Sequence, residues 1–597
     1  MFTWTEHELN DEQGKAILAP GSIFLVACPG SGKTRTLTYK IAYELSRLES
    51  DRQFVVAITY THRAADEIQE RIEDLGVDAS RLWIGTIHSF CLEWILRPYG
   101  IYEPKLANGF RVIDQHEREK LLESLCTPYA ALRVTHYDCE YYVTPGGYRI
   151  GCQDAAKQEA VKSIIKEYLK TILANRQVDF ELILYFAWRL MRDNPVIAVL
   201  LSKIFPMLLV DEYQDTKKIQ YEILGFILKA GAGDSLLFMV GDPNQAIYGS
   251  LGGYAIGIEE LRSITGIPID ERELSKNYRS SDRIIRYYSY FRVHGTTIKA
   301  AGKNSSYPSL ISYDNAIASD DLAPEIARLI RHNVEKLDVS PSNICVLAPQ
   351  WFHLAAMTRK LAVQMPEYQF DGPGMVPFAR DQENFWYKLS RLALTEPTPS
   401  LYVRRLRWAG EVIADLRDAG LDVSKLSART LLRECNTIGI NETHGLTYLR
   451  SFYEALFDRF GVAIDEFTAL REHYDAFFES SEARIARLEA EGLDGVGNVD
   501  FFRRVFQNRT GITVSTIHGV KGAEFDVVIA YALLEGMVPH FSDPEKVESA
   551  KKLLYVIGSR AKKNLHLFSE SGRRRGRGTY APTELLAAYS YDYDKVK

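Results

Sequence analysis

The apolar run Ile23, Phe24, Leu25, Val26 leads into Ala27-Cys-Pro-Gly-Ser-Gly-Lys-Thr-Arg-Thr36, and Leu37, Ile41 and Leu45 follow at helical spacing. A buried strand, a glycine-bearing turn and a helix N-terminus in immediate succession aim unpaired backbone N–H groups at one point, where the helix dipole also favours negative charge. Such a loop cradles phosphate. In it Gly30, Ser31 and Gly32 supply the turn, Lys33 is placed to reach β/γ-phosphates, and the Thr34 hydroxyl is placed to ligate Mg²⁺. The first position of the usual G-x-x-x-x-G-K-[ST] pattern is Ala27, so the strict pattern fails there while its chemically loaded end is intact.

The strand-to-helix change recurs along the chain. Val55–Thr59 precedes Tyr60-Thr-His-Arg-Ala-Ala65, and Ile84-Gly-Thr-Ile-His-Ser-Phe90 repeats the pattern. Met207-Leu-Leu-Val-Asp-Glu-Tyr-Gln-Asp-Thr216 reads as a buried strand that delivers two acids to its tip. Asp211 is suited to holding Mg²⁺, and Glu212 to orienting and deprotonating a water. The strand Leu236–Val240 runs into Gly241-Asp-Pro-Asn-Gln-Ala-Ile-Tyr-Gly249, where Gln245 could sense a γ-phosphate and Tyr248 offers an aromatic face. In Leu274-Ser-Lys-Asn-Tyr-Arg-Ser280, Tyr278 can stack on a base and Arg279 can fork onto phosphate. Ahead of the loop, the Gln13 amide can pair with an adenine edge or simply belong to a solvated helix start.

These stretches, in this order and spacing, resemble the helicase motifs of the UvrD/Rep/PcrA-like branch of superfamily 1. Val514-Ser-Thr-Ile-His-Gly-Val-Lys-Gly-Ala-Glu-Phe525 and Leu554-Tyr-Val-Ile-Gly-Ser-Arg-Ala561 match the fifth and sixth motifs. The resemblance implies an α/β fold of two RecA-like parallel-sheet motor domains, each with a mostly helical inserted subdomain. Its expected boundaries are 1–96 with 191–275 for motor 1A, 97–190 for insertion 1B, 276–380 with 510–597 for motor 2A and 381–509 for insertion 2B. It implies ATP and Mg²⁺ as cofactors, with Gln13 and Arg35 at the adenine, Tyr278 stacked on it and Glu524 at the ribose. Arg279 and Arg560 are expected at the γ-phosphate, and Tyr60, Thr61, His88, Tyr248, Thr516 and His518 along single-stranded DNA.

The implied activity is an ATP-dependent 3′-to-5′ DNA helicase or translocase acting at single-strand/duplex junctions in DNA repair or anti-phage defence. The alternative is a nucleotide-gated DNA-sensing subunit that controls a partner nuclease with little unwinding. Compact relatives include the helicase subunit of Gabija-type systems, which suggests an OLD-family nuclease as partner. The sequence departs from the family at Ser250, where a large aromatic is usual, and at Ile557-Gly558, where the usual order is reversed.

Composition narrows the rest. At 597 residues the chain exceeds one hydrophobic core, and three to five domains are expected. No apolar run approaches the ~18 residues of a membrane span, and residues 1–9 carry Glu6 and Glu8 without an apolar core, so a cytoplasmic protein is expected. The seven cysteines show no metal-binding spacing. With a net charge of −6, any grip on nucleic acid must come from a local groove. The stripes Tyr402, Leu406, Ala409, Ile413, Leu416 and Leu449, Phe452, Tyr453, Leu456, Phe460 are expected to face a core. Gly492–Gly497 reads as a joint, and Gly572–Arg577 as a solvated basic turn.

Overall fold

Six strands form the first sheet, five of largely apolar sequence, β1 (Ser22–Ala27), β2 (Val55–Thr59), β3 (Leu82–Thr86), β4 (Met207–Asp211) and β5 (Leu236–Gly241), and a charged edge strand, β6 (Ile269–Leu274). Their order is β6-β1-β5-β4-β2-β3, and every pairing is parallel. Every residue of β2 and β4 is buried, as expected of parallel strands covered on both faces. The order sets β1, β5 and β4 side by side. Their carboxyl ends therefore bring the phosphate loop, the Gly241–Gln245 turn and the Asp211-Glu212 pair together, where open α/β sheets bind ligands.

A second parallel sheet contains the consecutive run β7-β10-β9-β8, where β7 is Ile311–Asp314, β8 Ile344–Ala348, β9 Phe525–Ala530 and β10 Ala561–Phe568. Its core joins Ile284, Tyr288, Val528, Tyr555 and Leu565. The helix Lys546–Arg560 passes directly into β10, so the last helical residue, Arg560, stands at the amino end of that interior strand with no intervening loop. The fold is thus α/β with two RecA-like parallel sheets, as the sequence led us to expect.

The structure is a computed structural model. It describes residues 2–596 apart from 114, 373–375, 379–380, 382–383, 491–494, 507–510, 542, 544 and 576–577; the side chains at 116, 250, 352, 400, 465 and 575 are also outside the description. Part of the expected joint at Gly492–Gly497, the end of the basic run and the Ser250 side chain therefore lie outside the described residues. Within the basic run, Arg574–Arg575 pairs antiparallel with Gly578–Thr579.

The chain divides into two compact units. One comprises Met1–Arg111, Leu125–Gln350 and Ser515–Lys597 and holds both sheets' cores, together with the antiparallel hairpin Tyr141–Thr144/Gly147–Ile150. The other comprises Val112–Ser124 and Trp351–Val514. Its helices Phe385–Ala393, Tyr402–Asp418, Ala428–Thr437, Gly445–Phe460 and Thr468–Ala490 pack around Trp386, Phe452, Tyr453 and Phe477. Gly461, in the left-handed region at φ 65°, ends the fourth of these. Leu406, Ala409, Ile413 and Leu416 belong to this core as expected, but Tyr402 does not: at the first turn of its helix it is 47% exposed. No described helix is long and apolar enough to cross a membrane.

Candidate nucleotide and nucleic-acid site

The helix α1 (Asp11–Leu18) starts from a capping box, with Gln13 N donating to Asn10 Oδ1 at 3.0 Å and Asn10 N to Gln13 Oε1 at 2.9 Å. The free end of the same amide, Gln13 Nε2, donates to Ser31 O at 3.0 Å and braces the phosphate loop. Both ends of the Gln13 amide are thus engaged with the protein. Arg35 Nη1 donates to Glu8 O at 3.2 Å.

Gly32, at φ +82°, caps α2 (Lys33–Leu45), and Gly30 has φ +67°. A Cβ at Gly32 would come 2.6 Å from Gln13 Nε2, and one at Gly30 would come 2.5 Å from Arg279 Cβ, so neither position has room for a side chain. Ala27, at the usual first glycine, is an ordinary buried strand residue paired with Leu274.

Acids crowd the far side of Lys33. Burial and the neighbouring Glu212 push the Asp211 carboxyl up to about 7. Burial also opposes ionisation of Glu212, but Lys33, Lys521 and a hydrogen bond from Gln214 outweigh it and hold that group below the usual carboxylate range. Glu212 has φ +51°, a strained conformation for a residue with a side chain. Gln214 links two strand tips: its Nε2 donates to Glu212 Oε2 at 2.5 Å, and its Oε1 accepts from Asp242 N at 3.0 Å. Asp242 Oδ2 in turn accepts from Gln245 Nε2 at 2.8 Å.

The second sheet's segments close the site. After β6 the chain turns over the loop: Asn277 Nδ2 donates to Pro29 O at 2.6 Å, and Tyr278 N donates to Gly30 O at 2.9 Å. The Tyr278 ring is 39% exposed, and its hydroxyl accepts from Asn10 Nδ2 at 2.8 Å. Arg279 donates from Nε to Glu524 Oε2 at 2.6 Å and from Nη1 to Ser559 O at 2.8 Å. Glu524 also meets Lys562 at 3.0 Å; despite burial, Arg279 and Lys562 lower its pKa to about 2. Arg560 is 1% exposed and donates from Nη2 to Gln245 Oε1 at 2.6 Å. Burial and nearby Arg279 lower its pKa to about 10, which leaves it cationic at neutral pH.

On the adjoining face, Tyr60 and Tyr248 lie ring to ring with centroids 4.9 Å apart, and Tyr248 lies 5.3 Å from the His518 ring. Tyr60, Tyr248 and His88 line a cavity of about 300 Å³ that also reaches Asp211 and Asp215. His88 Nε2 is enclosed without a hydrogen-bond partner, and burial pushes that imidazole down to about 3. Thr61 is spent on its own helix, α3 (His62–Asp74), accepting from Ala64 N at 3.2 Å. Thr516 Oγ1 accepts from Gly519 N at 2.9 Å. Lys521 spans both faces: Nζ pairs with Asp215, donates to Gln245 O at 2.7 Å and lies 5.2 Å from the centre of the Tyr248 ring.

Sequence reasoning missed Asn277, Gln214, Asp242 and the Asp215–Lys521 pair. All four stand inside the quoted motifs, and that adjacency was the available signal.

The residues present fit a nucleoside triphosphate with a divalent cation. Ser31 Oγ is enclosed in the loop with no partner, the two glycines leave a cradle, and Asp211 keeps a raised pKa of the kind a nearby cation would lower. Lys33, Thr34 and Asp211 are the groups available to hold them.

A nucleotide cradle on one RecA-like sheet, covered by arginines from a second, defines a two-sheet nucleotide-driven motor. The UvrD/REP helicase N-terminal domain matches residues 9–263, and the UvrD-like helicase C-terminal domain matches residues 501–571. The chain belongs to the UvrD/Rep/PcrA-like family of superfamily 1 DNA helicases. It is 25% identical to the probable DNA helicase II homolog of Rickettsia conorii, over 95% of this chain and 93% of that protein. It is 24% identical to the ATP-dependent DNA helicase PcrA of Bacillus subtilis, over 94% of this chain and 82% of that protein. For the PcrA of Staphylococcus epidermidis the identity is 23%, over 95% and 84%.

Proposed function

We propose that this chain is an ATP-dependent DNA helicase that moves 3′ to 5′ along single-stranded DNA and separates the duplex ahead of it. The observation that carries the reading is the 2.6 Å bond from Arg560, on the second sheet, to Gln245, on the first. Lys33 is placed to neutralise the β/γ-phosphates, and Thr34 and Asp211 would hold a divalent metal, which would supply charge neutralisation at the phosphates. Glu212 accepts the proton of the attacking water. Arg560 and Arg279 supply positive charge in the transition state, so hydrolysis depends on the two sheets closing on each other.

Tyr278 and Arg35 flank the base of the nucleotide. Gln13 acts on the nucleotide through the loop it braces, and Glu524 acts by orienting Arg279. Tyr60, His88, Tyr248, Thr516 and His518 line the DNA path, with Thr61 positioning its first helix. Lys521 touches the Tyr248 ring on one side and Gln245 on the other, which supports coupling between a stacked base and the state of the nucleotide. The division into motors 1A and 2A with insertions 1B and 2B is the reading these parallel sheets and helical blocks support.

The test is strand displacement on duplexes with a 3′ or a 5′ single-stranded tail, measured beside ATP turnover on the same DNA. The 3′-tailed duplex should be opened with ATP and the 5′-tailed one left intact. DNA-stimulated turnover without displacement of either strand would favour a nucleotide-gated sensor.

A further inference from the structure

In the helical unit, two cations set among apolar side chains have anions to meet. Arg391, 5% exposed, pairs with Glu411, and Lys388 pairs with Asp415 at 2.6 Å. Arg405 meets no such anion among the described residues. It is 3% exposed on the helix Tyr402–Asp418, its one hydrogen bond is from Nη2 to Leu392 O at 3.2 Å, and its Nε is enclosed with no partner. No carboxylate among the described residues pairs with it. Burying an unpaired guanidinium is unfavourable, and an arriving anion offsets that cost.

Arg405 also lines a cavity of about 430 Å³. Pro397, Pro399, Leu432 and the Tyr402 ring form its apolar walls, and Asn436 adds an amide. The exposure of Tyr402, which breaks the core-facing stripe, belongs to this cavity.

We propose that this cavity is a docking site for a partner protein, which inserts a glutamate or aspartate side chain to meet Arg405 while its apolar neighbours rest on Tyr402 and the two prolines. The planar fork of a guanidinium matches the two oxygens of a carboxylate. A single cation behind apolar walls does not match a nucleic acid strand, whose repeated phosphates call for a row of cations along an open groove. The site lies wholly within the helical unit.

The test uses the full chain and a panel of fluorescein-labelled hexapeptides with a central Glu flanked by Leu, Pro or Tyr, each beside its Gln counterpart, read by fluorescence anisotropy. At least one Glu peptide should bind ~10-fold or more tightly than its Gln partner, the range expected for a charge-assisted hydrogen bond. Arg405→Gln should erase that preference without changing DNA-stimulated ATP turnover. Tyr402→Ala, at the exposed rim, should weaken the Glu peptide at least about fivefold with unchanged Tm, so the site is tested even if Arg405→Gln disturbs the fold. Equal affinity across every Glu/Gln pair, or full Glu-peptide affinity in Tyr402→Ala, overturns the proposal. Displacement of a bound Glu peptide by a single-stranded oligonucleotide also overturns it and marks the cavity as a nucleic-acid contact.

Discussion

Arg560 Nη2 and Gln245 Oε1 lie 2.6 Å apart across 315 residues of chain, and Gln245 passes the contact on to Asp242. Gln245 is therefore the joint through which the second sheet's arginine meets the first sheet's acids. Gln245→Ala should lower kcat for DNA-stimulated ATP hydrolysis by about 10- to 100-fold, the equivalent of one charge-assisted hydrogen bond. KM for ATP should change little, and steady-state kinetics at saturating single-stranded DNA provide the check.

Lys33→Ala removes the ammonium that acts on Asp211, Glu212 and Asp242 alike, and turnover should fall to a few per cent of wild type or less. Glu212→Gln should leave nucleotide binding intact, abolish turnover and trap the protein on DNA in the presence of ATP. Fluorescent-nucleotide binding beside phosphate release separates the two outcomes.

Gly30→Ala places a methyl 2.5 Å from Arg279 Cβ at a left-handed φ of +67°. The crowding falls on the contact between the phosphate loop and the segment after β6, so Tm should drop by only a few degrees while turnover falls at least tenfold. Thermal melting and ATPase rates measured on one preparation test this pairing.

Tyr248→Ala should weaken single-strand binding by about 1–3 kcal/mol with little dependence on sequence, because every base offers a π-face. Titrations with poly-dT and mixed-sequence oligonucleotides should show the same loss.

His566 is fully buried, with Nδ1 2.8 Å from Ser312 Oγ and Nε2 3.3 Å from Asn333 Nδ2, and burial pushes it down to about 3. Because its folded pKa lies below the unfolded value of about 6.5, the stability tied to its neutral form is complete above that value and is lost as pH falls towards 3. At pH 5.5 the loss is about 1.4 kcal/mol. The urea midpoint should fall between pH 7 and 5.5, and His566→Gln should flatten part of that fall.

Much of the fold was legible because its strands are unbroken apolar runs ending in chemically distinctive residues. Val55–Thr59, Met207–Asp211 and Leu236–Val240 stand where the hydrophobic pattern places them. The phosphate loop was legible for the same reason, since strand, glycines and lysine are contiguous. Contacts that depend on tertiary closure were not. Asn277 reaches Pro29 over 248 residues, and Lys521 reaches Asp215 over 306, with no local periodicity to announce either. Gln13 carries a different lesson: its amide could pair with adenine, but the capping box and Ser31 engage both of its ends. Tyr402 kept helical spacing with core residues yet faces solvent, because the first turn of its helix overhangs the cavity at Arg405.

In the proposed mechanism Arg560, carried by the second sheet, completes a nucleotide site held by the first. Single-turnover ATP hydrolysis on single-stranded DNA, at ATP concentrations giving equal occupancy in wild type and Arg560→Ala, tests it most directly. Nucleotide affinity should stay within a few-fold of wild type while hydrolysis is at least ~10³-fold slower, as for an arginine that acts in the transition state. A rate within tenfold of wild type, or a rate loss matched by an equal loss of nucleotide binding, would contradict it.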